Sequence, residues 1–256
     1  MKHRIYCSIL FLTVTIGASA QSEGGLLLGV AAEKKVSQKL SVDLEAGFRT
    51  RNDFKTADRW SVAVGAEYKL TRWLKADAGY ALLNNNFREK LTDYVTDKGN
   101  ARVKWRPSYW ALRHRLHASL AADYKLWGNL RLSLREQWQY TYRPEKSVTR
   151  WKLNPTASTM KLDDDYVRGG KAKHKLRSRL QVQWDKKRAL IKPYGSAELY
   201  NCWNVEKVRY TLGTDIRLSK QHSLDVYYRY QDMINVDDDD YDPDMHYIGI
   251  GYKMKF

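Results

Sequence analysis

Apolar and polar residues alternate singly along most of this chain, and that period of two constrains the fold more than any other feature. In the closing stretch, His246, Ile248, Ile250, Tyr252, Met254 and Phe256 share one parity, and Tyr247, Gly249, Gly251, Lys253 and Lys255 share the other. Successive side chains of a strand point to opposite faces, so this stretch has one greasy face and one polar face. The same arrangement recurs in Lys39 to Arg51, Trp60 to Leu70, Trp110 to Tyr124, Leu130 to Tyr142, Leu176 to Trp184 and Val208 to Leu218. Several of these runs last 11 to 13 residues. A soluble β-sandwich, the main alternative, uses strands of about five or six residues. The longer runs suffice to cross a bilayer when tilted. Hydrocarbon leaves no backbone N–H or C=O without a partner, so strands that cross it must close on themselves. The expectation is an all-β, transmembrane, antiparallel up-and-down β-barrel.

Short turns at Lys35–Gln38, Thr71–Trp73, Trp127–Asn129, Asp185–Arg188 and Lys220–His222 alternate with longer loops. Bacterial outer-membrane barrels place short turns on the periplasmic side and longer loops outside. Asn84 to Arg106 and Arg143 to Gly170 read as long loops without strand pattern. Five hairpin units from Lys39 to Phe256 make ten strands, and the apolar, Gly-rich Gly24 to Lys34 makes an eleventh segment. An antiparallel barrel needs an even number, so the count is held at ten to twelve. Ala189 to Trp203 is weakly phased. Pro193 lacks an N–H and belongs near a strand start. Glu136 sits on the apolar parity, where a charge at mid-bilayer costs about 2–4 kcal/mol. A bulge that turns it inward, or a place near the rim, would relieve that cost.

Residues 1–20 read as a cleaved export signal: Lys2 and Arg4, the apolar Ile9 to Ile16, then Ala18-Ser19-Ala20 before Gln21. One barrel domain, 21–256, is expected to follow. The apolar run is too short to be a membrane anchor, and no run of eighteen apolar residues occurs later. Without the leader only Cys202 remains, so no disulfide framework is expected. A mean hydropathy of −0.66 looks soluble, but barrels also look hydrophilic because half of each strand faces a polar interior. The aromatic usage discriminates better. Trp and Tyr number 9 and 18 against 5 Phe, the excess of amphipathic rings that interface girdles require.

The formal charge is +16, and +14 without Lys2 and Arg4. A balance of that size suits anionic lipid or an anionic solute, and export disfavours nucleic acid. Inward parity holds Arg49, Lys69, Arg113, Arg115, Arg131, Arg135, Lys175, Arg177, Arg179, Arg209, Arg217 and Arg229. Interleaved acids are Asp43, Glu45, Glu67, Asp77, Asp123, Asp185, Asp215 and Asp225. Two arrangements fit this set. The charges either line a narrow basic path that attracts anionic solutes, or they pair across a filled interior. His117 and Ser119 form a His-x-Ser pair whose spacing is similar to that of outer-membrane phospholipases and lipid A deacylases. A lipid hydrolase is therefore the alternative function, although parity turns both residues inward and no third group orients them. Asp237–Asp240 and Asp163–Asp165 lack the Gly and ligand spacing of a calcium loop and read as solvated. No catalytic set, metal site or cofactor is expected.

The closing Ile248, Ile250, Tyr252, Met254 and Phe256 resemble the C-terminal signal of Gram-negative outer-membrane barrels, which the barrel-assembly machinery reads. Glu33-Lys34-Lys35-Val36-Ser37-Gln38-Lys39-Leu40-Ser41, the later Arg49 and the Glu67-Tyr68 strand after a Trp resemble a Bacteroidota outer-membrane β-barrel family, domain of unknown function 2490. That resemblance implies a barrel in the outer membrane, with lipid around it, and carries no activity.

Overall fold

A computed structural model of the chain describes residues 22–95, 101–154, 159–163, 166–235 and 243–256. The expected leader and the Asp237–Asp240 run lie outside these residues. The strands in chain order are β1 (Glu23–Lys35), β2 (Leu40–Arg51), β3 (Thr56–Lys69), β4 (Leu74–Phe87), β5 (Lys90–Val95), β6 (Ala101–Arg106), β7 (Tyr109–Lys125) and β8 (Leu130–Arg143). They continue with β9 (Lys146–Ser147), β10 (Trp151–Asn154), β11 (Thr159–Leu162), β12 (Val167–Arg168), β13 (Lys171–Trp184), β14 (Ile191–Cys202), β15 (Asn204–Arg217), β16 (His222–Met233) and β17 (Met245–Lys255).

Eleven of them close a barrel in the order β1-β17-β16-β15-β14-β13-β8-β7-β4-β3-β2. The count falls within the expected ten to twelve, and the parity problem is solved by one parallel ladder. β1 pairs antiparallel with β2 and parallel with β17, from Glu23↔Met245 to Glu33↔Lys255. The fully antiparallel expectation is corrected at that seam. An odd strand inserted between the ends of an up-and-down series must run with one of its neighbours. β1 and β17 therefore both run from the long-loop end to the short-turn end, and the Glu23 amide donates to the Asp244 carbonyl at the loop end (2.9 Å).

Two connections at the loop end depart from the expected short–long alternation. Residues 52–55 join β2 to β3, and Trp203 alone joins β14 to β15. Each follows a register shift, at Arg49/Thr50 and Tyr200/Asn201. A bulge sharpens the local twist and bends the strand into a tight reversal. Asn52, Asp53 and Trp203 then take φ values of 52°, 51° and 66°. Asn and Asp tolerate this left-handed region, and the Asp53 Oδ1 also accepts the Gly24 amide at 2.9 Å.

The two long loops are not patternless. β5, β6, β10 and β11 build a four-stranded sheet, and β9 pairs with β12. Period two works there as well, with Trp105 opposite Trp151 and Lys104 opposite Lys152. Strands this short offered too few repeats to be recognised in the sequence.

The barrel's outer surface is apolar and exposed: Val30, Leu44, Val64, Leu120 and Leu212 are 52–65% accessible. Soluble monomers rarely expose a contiguous apolar patch beyond a few hundred Å². Trp73, Tyr124, Trp127 and Trp184 mark its short-turn edge. Towards the loop end, the Tyr80 and Tyr228 hydroxyls meet Nδ1 of His114 and His246 at 2.7 and 2.6 Å. Glu136 neither turns inward nor sits at the rim. It stays on the outer face in the middle of β8, where it accepts a hydrogen bond from the Ser178 hydroxyl (2.7 Å).

Candidate binding site in the lumen

Period two sends the other parity inward, and the result differs between the two ends. A cavity of about 860 Å³ extends from Glu33, Asp43 and Lys253 near the short-turn end up to Arg49, Arg59, Gln139 and Thr211. Beyond those residues the interior is packed. Gln231, Met245 and Tyr247 are only 1–3% accessible, and Arg51, Phe87, Arg106, Arg168 and Tyr200 are also buried. The layer is built from cations lying on rings: Arg113 and Arg168 over Phe87 at 4.6 and 4.3 Å, and Arg209 over Tyr200 at 4.7 Å. Arg168 arrives from the β8–β13 loop and donates to the Tyr109 hydroxyl, which ties that loop across the barrel mouth. Arg88 binds Glu23 through both of its terminal nitrogens at 2.7 Å, closing the same end near the seam.

Just below this layer lies Glu198 of β14, 2% accessible. Its carboxylate accepts from Arg177 Nη2 at 2.6 Å and from the Tyr200 hydroxyl at 3.1 Å. Arg209 and Arg179 stand 3.9 and 4.0 Å away. Tyr200 in turn accepts from Arg209 Nη1 at 2.5 Å. One carboxylate thus organises three guanidinium groups, and the net charge of the cluster stays positive. Further pairs join Glu206 to Lys173 and Lys175, and Asp58 to Arg49 and Arg51.

The short-turn half is less packed. Ser133, Gln181, Gln183, Ser196 and Ser223 give it small or uncharged polar walls. Glycines make room for rings there: the Tyr227 ring occupies the space that a Cβ on Gly249 would need. At the rim, Arg131 binds Asp123 at 2.9 Å and lies 3.8 Å from Asp185. A hydrogen bond from Lys192 holds the Asp185 carboxyl below the usual carboxylate range.

Arg49, Arg115, Arg135, Arg177, Arg179, Arg209 and Arg229 line the cavity. Arg113 belongs to the packed layer and Arg131 to the rim. Lys69 and Arg217 lie outside the cavity wall, at the short-turn ends of β3 and β15, because inward parity there points past the end of the lumen. Arg59, Glu198, Tyr200 and Glu206 were not anticipated. The last three flank the bulge between β14 and β15, where the sequence loses phase, although Lys192, Tyr194, Ser196, Glu198 and Tyr200 do keep one parity.

His117 and Ser119 both face inward and converge on Asp77. His117 Nε2 lies 3.5 Å from the Asp77 carboxylate, and the Ser119 hydroxyl donates to it. Asp77 is the third group that the sequence did not reveal, but it occupies the middle position. Activation of a serine requires the imidazole between hydroxyl and acid, and here the hydroxyl proton is directed to the carboxylate. The lipid-hydrolase alternative gains no supporting geometry.

Among solved structures, the chain is similar to the beta domain of the Bordetella autotransporter BrkA, with 13% identity, 85% of this chain and 82% of that chain covered, and a TM-score of 0.45. It is also similar to the CymD monoaromatic hydrocarbon channel, with 10% identity, 81% and 82% covered, and a TM-score of 0.37. No curated protein matches it in sequence. The family model described as "Protein of unknown function (DUF2490)" matches residues 24–242, which takes in β1 to β16, and the chain belongs to that family.

Proposed function

We propose that this protein is an outer-membrane barrel that binds small anionic solutes in a basic cavity, with the short-turn end facing the periplasm and the packed end facing outward. The observation that carries this reading is the set of guanidinium groups, Arg115, Arg135, Arg177, Arg179, Arg209 and Arg229, lining one cavity. Low-dielectric walls concentrate their field and raise the local concentration of anions. The exposed apolar belt with aromatic edges supports insertion in lipid. An Ala18-Ser19-Ala20 leader cleavage and recognition of β17 by the barrel-assembly machinery complete the route to that membrane. The packed layer favours a binding component over an open pore.

The test is calorimetry of the detergent-solubilised full chain with citrate as the probe. Binding that weakens as salt rises, and that falls at least tenfold in Arg135→Gln/Arg179→Gln, is expected. Absence of citrate binding at low salt contradicts the proposal.

A further inference from the structure

Below Arg49 and Arg59, acidic and basic residues gather on different parts of the cavity wall. Asp43 and Glu45 of β2 and Glu67 of β3 point inward on one wall, and Arg135 of β8 with Arg177 and Arg179 of β13 on another. Three strands separate β3 from β13 one way round the barrel, and five separate β2 from β13 the other way. The two sets therefore face each other across the lumen. Neither wall is fully neutralised from within, although Arg177 and Arg179 share Glu198 at 2.6 and 4.0 Å. Among the described residues Asp43 and Glu45 make no ion pair, and neither does Arg135, whose Nε is buried without a hydrogen-bond partner. Glu67 pairs with Lys75 at 3.0 Å, yet shares a side pocket with Arg135 and Arg179.

Unpaired charges of opposite sign across a narrow space create a transverse field. An ion of one sign is attracted by one wall and repelled by the other, whereas a solute bearing both signs is attracted at both of its ends. We infer that the cavity takes a zwitterionic solute, an amino acid or short peptide lying across the barrel, with its ammonium group towards Asp43 and Glu45 and its carboxylate towards Arg135 and Arg179. The inference rests on the anion-binding cavity proposed above and specifies its ligand class.

Three probes of nearly equal size separate the possibilities: triglycine carries both charges, N-acetyltriglycine only the negative one, and triglycinamide only the positive one. Calorimetry on the full chain in detergent should find triglycine bound at least tenfold more tightly than either analogue. In Asp43→Asn/Glu45→Gln, triglycine should fall to the affinity of N-acetyltriglycine, which itself holds or rises. The single variants Asp43→Asn and Glu45→Gln, each checked for the compact form on unheated gels, give intermediate losses and replace the double variant if it does not fold. Triglycine bound no better than N-acetyltriglycine, or unaffected by loss of the acids, overturns the zwitterion inference while leaving the anion cavity intact. Failure of both N-acetyltriglycine and citrate to bind removes the cavity reading and the inference together.

Discussion

The two halves of the lumen come from the same alternation on the same strands, yet among the described residues one is packed and the other is hollow. At the loop end, large side chains meet: arginines stack on Phe87, Tyr109 and Tyr200, and Met245, Gln231 and Tyr247 fill what remains. At the short-turn end the inward positions are Gly, Ala, Ser and Gln interspersed with charges, and a cavity persists. Side-chain volume at inward positions, rather than strand number, decides where a barrel of this size is open. Charge follows the same division. Cations in the packed half are held by buried acids and aromatic rings, whereas among the described residues Arg115, Arg135 and Arg229 of the open half make no ion pair.

This contrast can be tested by substitutions in each half. The largest effect is expected at Glu198. Glu198→Gln leaves Arg177, Arg179 and Arg209 without their shared anion in a site almost closed to water. Breaking a buried pair costs about 3–5 kcal/mol, so urea unfolding in lipid vesicles should shift by roughly that amount. Gly249→Leu comes next. Its side chain must displace the Tyr227 ring, and overpacking costs about 1–3 kcal/mol, read by the same unfolding curve. In the open half, Glu67→Gln removes only a partly exposed pair with Lys75. Stability should change by less than about 0.5 kcal/mol, and a larger loss would show that the two halves are equally packed.

The smallest effect concerns pH. The Asp185 carboxyl titrates below its unfolded value of about 3.9 because Lys192 hydrogen-bonds its charged form. Its contribution is therefore present above about pH 4 and lost as pH falls through the folded-state value. Stability measured from pH 6 to pH 3 should show a small acid decrement in the natural protein that Asp185→Asn lacks.

How much of this was legible in the sequence follows from the same physics. Wherever alternation ran for eleven residues or more, as in β2, β7 and β17, both faces and the barrel itself could be read. The parallel seam could not, because period two fixes faces and says nothing about the direction of a neighbour. Short strands such as β10 gave too few repeats. The bulge beside Tyr200 broke the phase where Glu198 and Glu206 needed it. Glu136 was read only in part: parity put it on the outer face, but the expected bulge or rim position was wrong, and Ser178, forty-two positions away in sequence, supplies the partner that local reading could not find. Asp77 escaped for the same reason, since its contacts with His117 and Ser119 come from the neighbouring strand β7.

Single-channel recording in planar bilayers tests the central claim most directly, namely that the lumen is a basic cavity sealed at its loop end. The natural protein should insert and give no resolved conductance steps, whereas Met245→Gly/Tyr247→Gly should open a steady path whose reversal potential favours anions. Large ohmic steps from the natural protein, or no gain from trimming the layer, would contradict it.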